Sequence, residues 1–383
     1  MPRRPGQGVT SLALAWGWFL CGCTGTPDPL PTQPTTPAPP PATTTVVPTK
    51  TAPPLVPTVT ESPSALPTDT PSVSPAFQEL RATLELFSRE KLEEGASAVL
   101  IKAKVGRQEW TSAAGVRSRE ARTTVQPSDS FPVGGQLRTM VAVSIFKLAE
   151  EGLLTLDDTV TTYLPGSVAS DSPLTIRQLL GITAALPDMT PAQADALLGR
   201  VVEQLRGSSL EAALRADILT PLNLGTTQLL VPGSTVPDDL VHGYIQVGGD
   251  TVDVTFPSAP PGVAPGGLVS SVGDISTFQD ALLRGRLLAP ASLIALKGTV
   301  FAEYGLGLDH WDDRCTNGSY YGHAGDVPGY GSIALSSADG NRQLAMFVAY
   351  PPQPVVMQPS ALSLEMTGVA QVALNSGCRF QFR

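Results

Sequence analysis

FPVGGQLRTMVAVSIFKLAEEGLLTLDDTVTTYLP, residues 131–165, is the stretch on which the fold turns. Leu137 to Glu151 carries neither Pro nor Gly and is rich in residues that keep their side-chain freedom in a helix. A helix is therefore predicted over 137–151, ended by Gly152.

Working outward, Phe77, Leu80, Leu84 and Phe87 recur at helical spacing, which predicts an amphipathic helix over 76–94. Residues 96–105 and 109–116 read as two strands, with Gly106-Arg107 near the turn. Beyond Gly152 a helix-rich stretch runs to about Leu230. Strand patterns follow at 241–247, 250–255, 303–309, 330–336 and 343–350, with helices at 273–284 and 291–297 and a closing helix at 359–375. Helix and strands, a helical insertion, more strands and a terminal helix make an α+β arrangement.

The 383 residues are 42% apolar and 15% charged, enough for a substantial core, and the formal charge is −9. No basic run occurs, so nucleic acid is not an expected partner. Three scattered His residues and no His-Glu-x-x-His argue against a zinc enzyme, and neither a metal nor a cofactor is expected. His310, beside Trp311, is expected on a strand at the surface. Trp110, Trp311, Tyr320 and Tyr321 are expected to pack in the core more readily than to rim a groove.

The N-terminus has Arg3 and Arg4, then SLALAWGWFL at 11–20, too short for a confident membrane span. It ends in Leu20-Cys21-Gly22-Cys23, which resembles a bacterial lipobox. That resemblance implies removal of a signal peptide, residues 1–22, and lipidation of Cys23, anchoring the protein on the outer face of the cell membrane. An ordinary secretory signal is the alternative. Residues 23–75 then form a tether: 30 of the 52 residues over 24–75 are Pro or Thr, so no core is available there. At about 3.1 Å per residue it reaches at most roughly 160 Å. With Cys21 removed and Cys23 lipidated, Cys315 and Cys378 remain as a pair in an oxidising compartment. They are expected to form a disulfide, with two free buried thiols as the alternative.

Several stretches, in order, resemble the serine β-lactamase/DD-peptidase superfamily, nearest its class C-like branch. They are FPVG at 131–134, the run from Ile145 to Pro165, LTIRQLLGITAALPD at 174–188, SSLEAALRADILTPLNLGTTQL at 208–229, APGGLVSSVGDISTFQDALL at 264–283, YGLGL at 304–308 and YGHAGDVPGYGSIALSS at 321–337. The resemblance covers 76–383, with the helical insertion at about 135–235. It implies an antiparallel sheet flanked by helices and an acyl-transfer cleft built from three motifs.

The first motif is Ser-x-x-Lys at the start of a buried helix, where the serine attacks a carbonyl and the lysine manages its proton. Here the serine position is Gly135 and the lysine position is Arg138. Glycine has no hydroxyl, and arginine stays protonated, so each change disables the step. Ser144-Ile145-Phe146-Lys147 repeats the spacing but lies about half a turn round and roughly 13.5 Å along the helix. Ser88-Arg89-Glu90-Lys91 lies in the first helix. The second motif, Tyr-x-Asn, should follow Leu186-Pro187-Asp188; counting back from Leu197-Leu198-Gly199 puts Thr190 and Ala192 at its ends. The third, Lys/His-x-Gly, is present as His323-Ala324-Gly325, followed by Asp326. Arg138, His323, Gly325 and Asp326 are thus candidate ligand-binding residues. Arg138 and Asp326, a new cation and a new anion, are a candidate pair across the cleft, with each pointing to solvent as the alternative.

The expectation is a surface lipoprotein whose domain binds or scaffolds without catalysing, with peptidoglycan-like peptides, a β-lactam or an envelope protein as partners. A hydrolase using unrecognised residues (β-lactamase, D-alanyl-D-alanine carboxypeptidase or esterase) is the alternative.

Overall fold

The structure is a computed structural model; it describes residues 73–169, 171–181, 189–231, 234–255, 267–300, 304–355, 360–376 and 378. The signal peptide, Cys23, nearly all of the tether and Leu186-Pro187-Asp188 lie outside the described residues.

Helix α1 (Pro75–Glu93) starts where Ser74 accepts the Phe77 N–H and Pro75 takes the first turn, where a missing N–H costs nothing. Strands β1 (Ala98–Val105) and β2 (Gln108–Gly115) form a hairpin. The short β3 (Phe131–Pro132) leads into α2 (Gln136–Glu150). Helices α3 (Val160–Tyr163), α4 (Ile176–Leu180), α5 (Pro191–Arg206) and α6 (Leu210–Leu214) follow, then a π turn (Arg215–Leu219) and α7 (Thr220–Leu222). Next come β4 (Gln228–Leu230), the hairpin β5 (Tyr244–Val247) and β6 (Asp250–Asp253), and β7 (Gly267–Ser270). The chain closes with α8 (Val272–Leu283), α9 (Pro290–Lys297), β8 (Asp309–Asp313), β9 (Gly318–Val327), β10 (Tyr330–Ser337), β11 (Arg342–Ala349) and α10 (Ala361–Ser376).

The main sheet is antiparallel throughout, in the order β2-β1-β11-β10-β9-β8. Its two faces are both covered. Val99, Ile101, Met346 and Val348 pack under α1 and α10, while Ala98, Leu100, Ala345 and Phe347 pack under α2 and α8. The period of two along each strand divides the core in this way. Burial on both faces explains why β10 and β11 read as nearly continuous apolar runs.

The strand expected at 303–309 is replaced by an isolated bridge between Tyr304 and Asp309, and β8 begins only at Asp309. Strand β9 has no apolar alternation because close backbone approach demands glycine in it. A Cβ on Gly322 would sit 1.8 Å from the Ala334 carbonyl oxygen. The small sheet β3-β7-β4 has no counterpart in the sequence pattern, and it fixes the entry to α2. Cys315 and Cys378 form the expected disulfide, joining the β8–β9 turn to the end of α10.

Candidate functional site

The site is the junction between the start of α2 and the cleft-facing side of β9. Gly134 takes a left-handed backbone (φ +54°), and a Cβ there would lie 2.9 Å from the Gly325 Cα. Ser332 Oγ donates to the Val133 carbonyl at 2.9 Å, and a Cβ on Gly325 would lie 2.2 Å from that same oxygen. The turn is thus pressed directly onto β9.

Gly135 caps α2 in an ordinary helical conformation (φ −59°, ψ −14°), so its backbone does not require glycine. The surroundings do. A Cβ at this position would meet the Ala324 carbonyl oxygen and His323 Nδ1 at 2.4 Å, and His323 Cε1 at 2.6 Å. The His323 ring therefore occupies the place where a nucleophilic side chain would stand. Its Nδ1 lies 2.6 Å from the Ala324 carbonyl, which can only accept, so Nδ1 carries the proton. Nε2 lies 3.1 Å from the Tyr304 hydroxyl and accepts from it when the ring is neutral. Burial pushes the Tyr304 hydroxyl well above the ordinary phenol range, although the Arg138 charge opposes this. Gln136, also buried, donates to the His323 carbonyl.

Arg138, on the first turn of α2, is 4% exposed. Nη1 donates to Asp195 Oδ1 at 2.7 Å, Nη2 donates to the Leu179 carbonyl at 2.7 Å, and Nε has no partner among the described residues. The guanidinium also lies 5.8 Å from the centre of the Tyr304 ring, a cation–π distance. Arg138 thus ties α2 to α4 and α5. Burial raises the Asp195 carboxyl above the usual range, against the pull of Arg138 and His323. Asp309, at the start of β8, is likewise raised by burial, against the charges of His323, His310 and Arg138.

The candidate Arg138–Asp326 pair does not form: Arg138 is paired with Asp195 instead. Side chains on a strand alternate faces, so His323 and Gly325 face α2 whereas Ala324 and Asp326 face α1 and α10. Asp326 accepts the Ser360 N–H just before α10. Of the expected ligand-binding set, Arg138, His323 and Gly325 converge and Asp326 does not. Asp195 takes its place; it lies five residues beyond Thr190, and only the packing of α5 on α2 brings it in.

Thr190 and Ala192 are exposed. Thr190 is the N-cap of α5, in a capping box with Gln193, so these positions form a helix start rather than a cleft wall. Ser144 is fully buried with no partner for its hydroxyl among the described residues, and Lys91 is paired with Glu94 and Glu365, so neither alternative Ser-x-x-Lys assembles as a dyad. His310 is not at the surface as expected. It is 9% exposed, edge-on to Tyr321 at 4.8 Å, because β8 pairs with β9 and is covered on that face. Tyr320 is fully buried, and Trp110, Trp311 and Tyr321 are partly buried against the two cores, in line with packing roles.

The Beta-lactamase family model matches residues 89–360. Among curated proteins, the Bacillus subtilis (strain 168) protein named "Putative penicillin-binding protein PbpX" is 24% identical over 252 residues, 58% of this chain and 62% of the relative. The chain thus spans about three fifths of that relative's length. Among solved structures, a D-stereospecific amidohydrolase from Streptomyces sp. is similar at TM-score 0.59 and 26% identity, covering 70% of this chain and 94% of that one. A D-amino acid amidase from Ochrobactrum anthropi SV3, complexed with L-phenylalanine amide, is similar at TM-score 0.65 and 18% identity, covering 78% and 98%. An octameric penicillin-binding protein homologue from Pyrococcus abyssi is similar at TM-score 0.61 and 22% identity, covering 77% and 76%.

Proposed function

The chain belongs to the Beta-lactamase family, and from that premise we propose that it is a non-catalytic member, a lipid-anchored binding or scaffolding protein of the outer cell envelope. One observation carries the reading. The nucleophile position is Gly135, and the space for a side chain there is filled by His323. At the lysine position, Arg138 is spent on Asp195 and the Leu179 carbonyl and cannot accept a proton. The relative named for penicillin binding and the solved D-stereospecific amidohydrolase point to a peptide ending in D-amino acids, as in peptidoglycan stems, as the first ligand to test. A β-lactam and an envelope protein follow. Lipidation of Cys23 and the Pro/Thr tether would hold the domain above the membrane.

The test is incubation of the full chain with fluorescent penicillin, nitrocefin and p-nitrophenyl acetate, alongside calorimetric titration with a D-alanyl-D-alanine stem peptide. The expected result is no covalent label, no turnover above buffer, and reversible peptide binding. Label or turnover that is lost in His323→Ala overturns the proposal.

A hydrolytic reading rests on one contact, the Tyr304 hydroxyl on His323 Nε2, a phenol beside an imidazole acceptor. The buried hydroxyl resists ionisation, which weighs against it as a nucleophile. Turnover that disappears in Tyr304→Phe would establish it.

A further inference from the structure

Away from the cleft, three segments distant in sequence bring together a mixed donor set. Glu120 comes from the β2–β3 connection, His242 from just before β5, and Asp253 from the end of β6. One ring nitrogen of His242 and one carboxylate oxygen from each acid all lie within 4.8 Å of one another. His242 Nδ1 is 2.8 Å from Asp253 Oδ2.

The carboxylates are oriented by groups behind them. Asp253 Oδ1 accepts the Thr255 N–H at 2.7 Å. Glu120 Oε2 accepts from the Tyr244 hydroxyl at 2.6 Å and from Ser118 Oγ at 2.9 Å. The Tyr244 hydroxyl is fixed in turn by the Arg119 N–H at 2.9 Å, and its ring is buried. Such outer hydrogen bonds hold metal ligands in place. The side chains of His242 and Asp253 are 35% and 29% exposed and Glu120 is exposed, so water can complete a coordination sphere. Two carboxylates balance a dication. The neighbouring cations are engaged elsewhere: Arg117 pairs with Asp129, and the Arg119 guanidinium bonds Ser97 and the Gly95 carbonyl.

We propose that Glu120, His242 and Asp253 form a divalent metal site, best suited to Zn²⁺ with one imidazole, two carboxylates and water. The ion would staple the β5–β6 hairpin to the β2–β3 connection, and the proposal does not depend on the function proposed for the cleft.

The test uses the full chain with any free thiol alkylated, since thiols would themselves take zinc. Equilibrium dialysis against ZnCl₂ measures stoichiometry and affinity, and the Co²⁺ absorption spectrum reports coordination. One Zn²⁺ per chain is expected. His242→Ala, Asp253→Asn and Glu120→Gln should each weaken binding at least ten-fold, and Tyr244→Phe about ten-fold through loss of Glu120 orientation. Asp157→Asn, an exposed carboxylate elsewhere, should change nothing. Glu120→Gln alters an exposed side chain and serves even if the His242 variant does not fold. Less than one bound ion, or equal affinity in wild type and Glu120→Gln, overturns the proposal.

Discussion

Restoring even one carbon at Gly135 should destabilise the protein, and the cost should depend on His323. In Gly135→Ala the new Cβ would stand 2.4 Å from a backbone oxygen and from an imidazole nitrogen, where relaxed contacts need about 3.5 Å. The backbone is already helical at φ −59°, so no conformational strain adds to this, and alanine stiffens the unfolded chain, a gain of about 0.4–1 kcal/mol. Overpacking of this kind costs roughly 1–3 kcal/mol, leaving a net loss of about 0–2.6 kcal/mol, expected in the upper half because one of the two close contacts is a backbone oxygen that cannot swing away. His323→Ala removes the ring but leaves the Ala324 carbonyl. The cost of Gly135→Ala should therefore shrink in that background without vanishing, a coupling of about 0.5–2 kcal/mol. Urea denaturation of the four proteins in the cycle, followed by far-UV circular dichroism, measures each term. A Gly135→Ala protein as stable as wild type, or a cost unchanged by His323→Ala, would refute the packing argument. For the same reason Gly135→Ser combined with Arg138→Lys should not restore acylation by fluorescent penicillin.

Three further outcomes are expected. Asp195→Ala strands the Arg138 charge; removing one partner of a buried pair costs about 3 kcal/mol or more, reduced to about 2 kcal/mol because the Asp195 side chain is 31% exposed, and Arg138→Met should recover part of the loss in denaturant titrations. Asp309 has a raised carboxyl, so the folded state keeps its proton to higher pH than the unfolded chain does. Its contribution to stability must fall as pH rises from the ordinary carboxylate value through the raised one. Asp309→Asn should therefore stabilise the protein at pH ~7, and the gain should disappear below about pH 3.9 in thermal melts run across that range. Opening the Cys315–Cys378 disulfide, which bridges a separation of 63 residues, should cost up to about 4 kcal/mol, read as a lower urea midpoint for the Cys315→Ala/Cys378→Ala chain than for the oxidised protein.

Helices with a regular apolar period, such as the Phe77-Leu80-Leu84-Phe87 face of α1, could be read from the chain because local spacing is all they require. Strands β10 and β11 could be read because burial on both faces leaves a continuous apolar run. Strand β9 escaped the pattern because its glycines answer to the Ala334 and Val133 carbonyls, which are distant in sequence. The pairing of Arg138 with Asp326 failed on strand parity. His323 faces α2, and a residue three places on must face the other way. Asp195 left no local signal, since its role depends on how α5 packs against α2.

Residue identity alone determined that no hydroxyl stands at position 135 and no proton acceptor at 138, because these are properties of the side chains themselves. What fills the space beside Gly135 was decided only by the tertiary structure. The imidazole against Gly135 and the carboxylate on Arg138 come from other elements, and long-range packing, not sequence spacing, sets those distances.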